Sequence, residues 1–199
     1  IYEDGIIKEC EDGVRRHLIN TKDIHLRGVH NYENVCAAIA ATSGLVSEEV
    51  QIEAIKGFKG VEHRLEFVRE LDGVKWYNDS IGTSPSRTIA GINSFDEKIV
   101  LIAGGYDKNL DYMPLAEALP NKVSKVILMG DTAPKIANAI LQATKGLDFM
   151  IPMYKEYNIE KSVKRARKIA EPGEIVLFSP ASASFDMFKN FAERGEKFK

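Results

Sequence analysis

From Val61 onward the sequence alternates short, uninterrupted apolar runs with longer stretches of helical periodicity, and few folds accommodate that alternation. Ile99-Val100-Leu101-Ile102 and Ile175-Val176-Leu177-Phe178 contain no polar residue for a solvent-facing side. As strands they need cover on both faces, which a parallel sheet between two helical layers provides. Strands are expected at residues 63–69, 74–77, 98–103, 125–129, 150–153 and 174–178, with helices between them at 85–94, 112–119, 134–144 and 159–171 and a last one at 185–197. The expected fold class is therefore α/β, a Rossmann-like domain with a mainly parallel sheet over residues 61–199.

Residues 1–60 read differently. Ile6-Ile7-Lys8-Glu9-Cys10 and the run 14–19 flank Glu11-Asp12-Gly13, and an Asp-Gly pair between β-type runs signals a hairpin. A helix is expected at 32–43, with Val35, Ala38, Ile39 and Thr42 on one face and Gly44 ending it. Ser47 stands as the N-cap of a second helix whose first turn carries Glu48 and Glu49, where carboxylates suit the positive end of the dipole. Gly57-Phe58-Lys59-Gly60 then reads as a turn-like linker.

In parallel α/β sheets ligands gather beyond the carboxyl ends of the strands. Three such ends carry unusual polar sequences: Asn78-Asp79-Ser80-Ile81-Gly82-Thr83, Gly104-Gly105-Tyr106-Asp107-Lys108-Asn109, and Ser179-Pro180-Ala181-Ser182-Ala183-Ser184-Phe185-Asp186. Together they offer hydroxyls, a lysine, a glycine pair that permits close backbone approach, and helix N-termini that favour an anion. Such a set suits a small carboxylate ligand. Singly, each has a plainer reading: Gly104-Gly105 as a tight turn, Lys108 as a solvated side chain, and Ser84 and Ser184 as N-caps, with Pro85 at a first helical position.

Several classes are disfavoured. With 27 basic and 29 acidic residues there is no global field for nucleic acid or an anionic membrane surface. Cys10 and Cys36 lie far apart and outside any ligand-spaced cluster, which fits reduced thiols in a cytoplasmic protein. No apolar run approaches the length of a membrane span. The histidines, His17, His25, His30 and His63, lack the short spacing of a metal site, no serine sits in a G-x-S-x-G elbow, and no G-x-x-x-x-G-K-[ST] loop is present. The sequence starts at Ile1 without an initiator Met, which suggests a fragment or a processed product.

Five motifs in one order carry a resemblance. They are Leu26-Arg27-Gly28-Val29-His30-Asn31-Tyr32-Glu33-Asn34, His63-Arg64-Leu65-Glu66, Asn78-Asp79-Ser80, Gly104-Gly105 with Lys108, and Ser179-Pro180-Ala181-Ser182-Ala183-Ser184-Phe185-Asp186-Met187-Phe188 running on through Phe191 to Arg194-Gly195. The chain resembles the Mur ligases over essentially its whole length, and most of all the branch that adds D-glutamate to UDP-N-acetylmuramoyl-L-alanine. The resemblance implies that residues 1–60 are the tail of an α/β ATPase domain and 61–199 an amino-acid-binding domain. It implies ATP and Mg2+ as cofactors, with the P-loop and metal ligands upstream of Ile1, so that these 199 residues alone are catalytically incomplete. It also implies activation of the substrate carboxylate as an acyl phosphate, attacked by the amine of D-glutamate.

By motif, Asn31 and Asn34 correspond to residues that contact adenine, Arg64 to one near the nucleotide after domain closure, and Asp79 to an acceptor for ribose hydroxyls. Thr83 and Lys108 correspond to the site for one D-glutamate carboxylate, and Ser184 with the backbone near Phe191 to the site for the other. His30 and His63 take positioning roles. Ile81 stands where many members carry lysine, so Arg87 or another basic neighbour supplies that charge or this branch manages without it. A monomer with no protein partner is expected. The competing readings are a ligase of the same superfamily adding another amino acid, such as a folylpolyglutamate synthase, and a module that binds amino acid or nucleotide without chemistry.

Overall fold

The computed structural model describes residues 1–199, the side chain of Glu11 excepted. The chain divides into two compact units, Ile1–Gly60 and Val61–Lys199.

In the first unit β1 (Tyr2–Glu3), β2 (Ile6–Glu11) and β3 (Val14–Asn20) form an antiparallel sheet in sequence order. Both connections are Asp-Gly pairs with positive φ at each residue, 50° and 77° at Asp4 and Gly5, 49° and 79° at Asp12 and Gly13. These values belong to the type I′ turn, whose twist matches that of the flanking strands. Two helices follow, α1 (Val29–Thr42) and α2 (Glu48–Gly57). Ile7, Ile19, Ile24 and Val35 make the core of this unit. Gln51 Nε2 donates to Thr42 Oγ1 at 2.7 Å and so ties α2 to the end of α1. The first helix begins three residues before its expected start, at Val29, just after the positive-φ Gly28. Ser47 occupies the N-cap position of α2 with extended backbone.

The second unit carries a six-stranded sheet. Its strands are β4 (Glu66–Leu71), β5 (Val74–Asn78), β6 (Ile99–Ala103), β7 (Val123–Leu128), β8 (Met153–Lys155) and β9 (Ile175–Phe178), in the spatial order β4-β5-β9-β6-β7-β8. All neighbours pair in parallel except β4 with β5, which are joined by the Asp72-Gly73 turn with φ of 54° and 75°. The helices are α3 (Pro85–Ile92), α4 (Met113–Ala118), α5 (Ala133–Ala143), α6 (Ile159–Ile169) and α7 (Phe191–Phe198).

Successive strand residues face opposite sides. Ile99, Leu101, Ile175, Leu177 and Tyr77 therefore pack with Ile92, Leu115, Ile136 and Ile140 of α3, α4 and α5. Val100, Ile102, Val176, Phe178 and Trp76 pack with Ile159, Ala166 and Phe198 of α6 and α7. The uninterrupted apolar runs of β6 and β9 thus feed two cores, and both strands are fully buried.

Three starts in this unit differ most from the sequence expectation. β4 starts at Glu66 rather than 63, because His63 and Leu65 are in the left-handed region, at φ 63° and 45°. β8 starts at Met153, immediately after Pro152, which cannot donate to a ladder. The last helix starts at Phe191 rather than 185, where Asn190 caps it by accepting from Glu193 N–H at 2.8 Å while Glu193 Oε2 accepts from Lys189 N–H at 2.8 Å.

Asn158 caps α6 in the same way, its side chain accepting from Lys161 N–H at 2.9 Å. Replacing Asn158 by alanine is expected to lower stability by about 1 kcal/mol, with aspartate retaining most of it. Urea denaturation of the two variants checks this, and equal losses in both would sink the capping assignment.

Candidate functional site

The three polar strand ends belong to β5, β9 and β6, which are neighbours in the sheet. Their loops are therefore brought together at one edge and cross-tied. Asp79 N–H donates to Phe178 C=O at 2.7 Å, Gly104 N–H to Pro180 C=O at 2.8 Å, and Tyr106 N–H to Ala183 C=O at 2.9 Å. Ala181, in the middle of this set, sits at φ 56°, a conformation a non-glycine residue keeps only where its surroundings hold it.

Asp79 lies just past β5 and is only 5% exposed. Its Oδ2 accepts from Ser179 Oγ at 2.7 Å and its Oδ1 from Leu65 N–H at 3.3 Å. Burial pushes the carboxyl up to about 6, against the opposing pull of those hydrogen bonds and of the Arg64 and Arg87 guanidinium charges. Arg87 is thus electrostatically coupled to the carboxylate beside Ile81. Gly82 follows because nothing larger fits: a Cβ there would come within 2.6 Å of Ser179 Oγ and 2.7 Å of Asp79 Oδ2.

Gly105 is held equally tightly. Its φ of 156° and a Cβ position overlapping Ala183 C=O exclude a side chain, and its N–H donates to Thr132 Oγ1 at 3.0 Å. Thr132 Oγ1 and Tyr112 OH both meet the buried Ser182 hydroxyl, at 2.9 and 2.8 Å.

Arg194 joins these loops from beneath. It is 0% exposed, on α7, and it donates from Nε to Ser80 Oγ (3.1 Å), from Nη2 to Ser80 C=O (2.8 Å), and from Nη1 to Ser182 C=O (3.0 Å) and Ala183 C=O (2.8 Å). Burial lowers its guanidinium to about 10, with Asp186 pulling the other way. One side chain therefore binds the loop after β5 to the loop after β9. Asp186, in the latter, is raised by burial.

Of the residues singled out from sequence, Lys108 is exposed on the loop after β6, and its Nζ lies 5.7 Å from the centroid of the Phe185 ring. Ser184 is buried, and its carbonyl accepts from Met187 and Phe188 N–H in a single turn. Thr83 is half-buried in the loop after β5, and its N–H donates to Ile81 C=O at 2.8 Å. Phe191 presents its carbonyl to Ser80 Oγ at 2.7 Å and its ring edge-on to His63. Arg64 is half-buried between the left-handed His63 and Leu65.

In the first unit Asn31 is buried and its Nδ2 donates to Arg27 C=O at 2.7 Å. Asn34, three residues on, is exposed and lines a cavity of about 380 Å³ with Leu26, Val35, Ile55 and Phe58.

Among the described residues Glu62, His63 and Glu196 bring ligand-type atoms within 4.8 Å of one another. Lys199 Nζ already stands there, 3.0 Å from Glu62 and 2.9 Å from Glu196. Asn78 Oδ1 accepts from Ser80 N–H, so its Nδ2 donates to His63 Nδ1 at 2.9 Å, which leaves the neutral ring's proton on Nε2 facing Glu196. The group is an ion-pair cluster.

Residues 63–182 match the family model described as Mur ligase, glutamate ligase domain. The UDP-N-acetylmuramoylalanine–D-glutamate ligase of Acetivibrio thermocellus is 50% identical over 203 residues, covering 100% of this chain and 43% of that protein. The enzyme of the same name from Clostridium novyi is 50% identical over 182 residues, covering 89% and 39%. The chain thus spans about two-fifths of the length of these relatives. Among solved structures, the UDP-N-acetylmuramate-alanine ligase MurC of Thermotoga maritima superposes with a TM-score of 0.62 at 19% identity, over 88% of this chain and 38% of that one. The MurF ligase of the same organism, solved with ADP, gives 0.57 at 19% identity over 99% and 44%. These structural likenesses speak for the fold, and the family match speaks for more: the chain belongs to the Mur ligase, glutamate ligase domain family.

Proposed function

We propose that this chain is the amino-acid-binding part, with the adjoining end of the ATP-binding part, of a ligase that joins D-glutamate to UDP-N-acetylmuramoyl-L-alanine. The observation that carries the reading is the adjacency of three polar strand ends, one of which carries Lys108, a cation with no carboxylate partner among the described residues. Relatives bearing that activity in their names, at half identity along the chain, support it.

ATP, when bound, supplies the phosphoryl group that turns a poor electrophile, the substrate carboxylate, into a reactive one. The chain's own residues bind and orient. The resemblance assigns Asn31 and Asn34 of the first unit to adenine and, in the second unit, Asp79 to the ribose hydroxyls and Arg64 to the neighbourhood of the nucleotide. The donor set fits: Asp79 is an acceptor with two further lone pairs, and Arg64 and Arg87 bring positive charge beside it. The resemblance assigns the Mg2+ ligands to the part of its relatives that this chain does not span. Thr83 and Lys108 hold one carboxylate of D-glutamate, and Ser184 with the backbone at Phe191 the other. The activity belongs to the longer, cytoplasmic protein, acting as a monomer, and the 199 residues alone are expected to show no turnover.

The test is an amino-acid panel with the full-length protein, ATP, Mg2+ and UDP-N-acetylmuramoyl-L-alanine. D-glutamate should be the preferred acceptor, and preference for L-lysine or diaminopimelate would overturn the substrate assignment. Lys108→Met should raise KM for D-glutamate about tenfold while leaving KM for ATP unchanged, the loss of one charge-assisted contact.

A further inference from the structure

We infer that Phe185, braced by Tyr106, is a positioning residue that holds the Lys108 ammonium in place for an incoming ligand carboxylate, an inference that rests on the amino-acid-site reading above. Phe185 is 60% exposed and Tyr106 41%, whereas Ser182, Ala183 and Ser184 beside them are buried. Two exposed rings at the mouth of a polar site bury little apolar area, so core packing does not account for them.

Their geometry gives them another use. The rings meet edge-on, 6.0 Å apart at 74°, and Lys108 Nζ lies 5.7 Å from the Phe185 centroid, within cation–π range. Tyr106 is fixed by its own backbone, bridged to Ala183. The backbone under Lys108 is fixed as well. Asp107 pairs with Lys135 at 2.5 Å and accepts from Asn109 N–H at 2.7 Å, and Asn109 Oδ1 takes a second Lys135 contact at 3.3 Å. What remains free is the four-carbon lysine side chain, with many rotamers and no carboxylate partner among the described residues.

A carboxylate in place of Phe185 would also restrain Lys108, but it would neutralise the charge. An aromatic face restrains the ammonium and leaves the charge available. The lysine is then partly ordered before the ligand arrives, and less conformational freedom is lost on binding. The site would favour anionic side chains on the amino acid and disfavour cationic ones.

Steady-state kinetics of the full-length protein test this with Phe185→Ala, Phe185→Tyr, Lys108→Met and the double variant Phe185→Ala/Lys108→Met. Phe185→Ala is expected to raise KM for D-glutamate about threefold to tenfold with kcat and KM for ATP unchanged, and Phe185→Tyr to restore it. In the Lys108→Met background the same alanine substitution should add nothing, because the two residues act as one unit. If Lys108→Met raises KM but Phe185→Ala has no effect, or has the same effect in both backgrounds, the inference is overturned and the glutamate site stands. If Lys108→Met leaves KM unchanged, the glutamate-site reading falls and the inference with it. The exposure of both side chains keeps folding out of the comparison, and melting curves of the four variants verify that.

Discussion

Arg194→Met is expected to destabilise the protein by about 4 kcal/mol. The guanidinium is wholly buried and donates four hydrogen bonds, three of them to the carbonyls of Ser80, Ser182 and Ala183. Methionine fills much of the volume and removes the cost of burying a charge. It also leaves the Ser80 and Ser182 carbonyls without the donor they have, at about 1–3 kcal/mol each where water cannot enter, while Ala183 C=O keeps Tyr106 N–H. The unsatisfied groups win, since two of them outweigh the relief of one charge that Asp186 already attracts. Arg194→Lys should recover only part, because a single ammonium cannot span the loops after β5 and β9. For a chain of this size a loss of about 4 kcal/mol lowers the melting temperature by roughly 10 °C. On the site assignments proposed above, the same variant of the full-length protein should raise KM for both D-glutamate and ATP, since Asp79 and Thr83 lie in the loop after β5 and Ser184 in the loop after β9. A melting temperature within about 2 °C of the parent would mean that the loops hold without the staple.

The sheet was legible from composition because parallel strands buried on both faces have no polar side, and β6 and β9 could be recognised from four residues each. Edges were harder. The antiparallel β4 starts three residues later than its sequence pattern indicates, since nothing in His63-Arg64-Leu65 announces two left-handed non-glycine residues; their conformation is imposed by Ile81 N–H bonding to His63 C=O and Leu65 N–H to Asp79. The Asp72-Gly73 turn that makes β4 antiparallel was in plain view, as the same dipeptide marked the first hairpin. The polar strand ends could be named one by one, yet their adjacency depends on β9 inserting between β5 and β6, which is a long-range pairing with no local signature.

Arg194 as the staple was missed for a related reason. Its signal is positional: Phe191, Arg194, Gly195 and Phe198 fall at i, i+3, i+4 and i+7, so the arginine lies on the buried stripe of α7. A charged residue in such a stripe marks a buried contact. The neighbouring glycine has the same origin, because a Cβ at Gly195 would overlap the His63 ring.

Asp79→Asn is expected to raise stability at pH 7 by up to about 3 kcal/mol while weakening nucleotide binding. In the folded chain burial holds the Asp79 carboxyl at about 6, above its ordinary value of 3.8. The folded state therefore binds this proton more tightly than the unfolded state does. Below about pH 4 both states are protonated and the group costs nothing. As pH rises from about 4 to 6 the unfolded chain ionises first, and stability falls; above about 6 the deficit is complete and constant. Asparagine keeps the shape, can accept from Leu65 N–H and donate to Ser179 Oγ, and has no charge to desolvate. The difference in unfolding free energy between variant and parent should be small at pH 4, grow through pH 6, and then level off. If the variant is less stable than the parent at pH 7, the buried carboxylate is better compensated by Arg64 and Arg87 than its surroundings indicate. The expected cost is functional: an amide cannot replace a carboxylate as acceptor for two ribose hydroxyls, so the full-length variant should bind ATP more weakly while melting higher. Such a trade of stability for binding would tie a buried acid, kept at a strand end against the cost of its own desolvation, to the nucleotide role proposed for it.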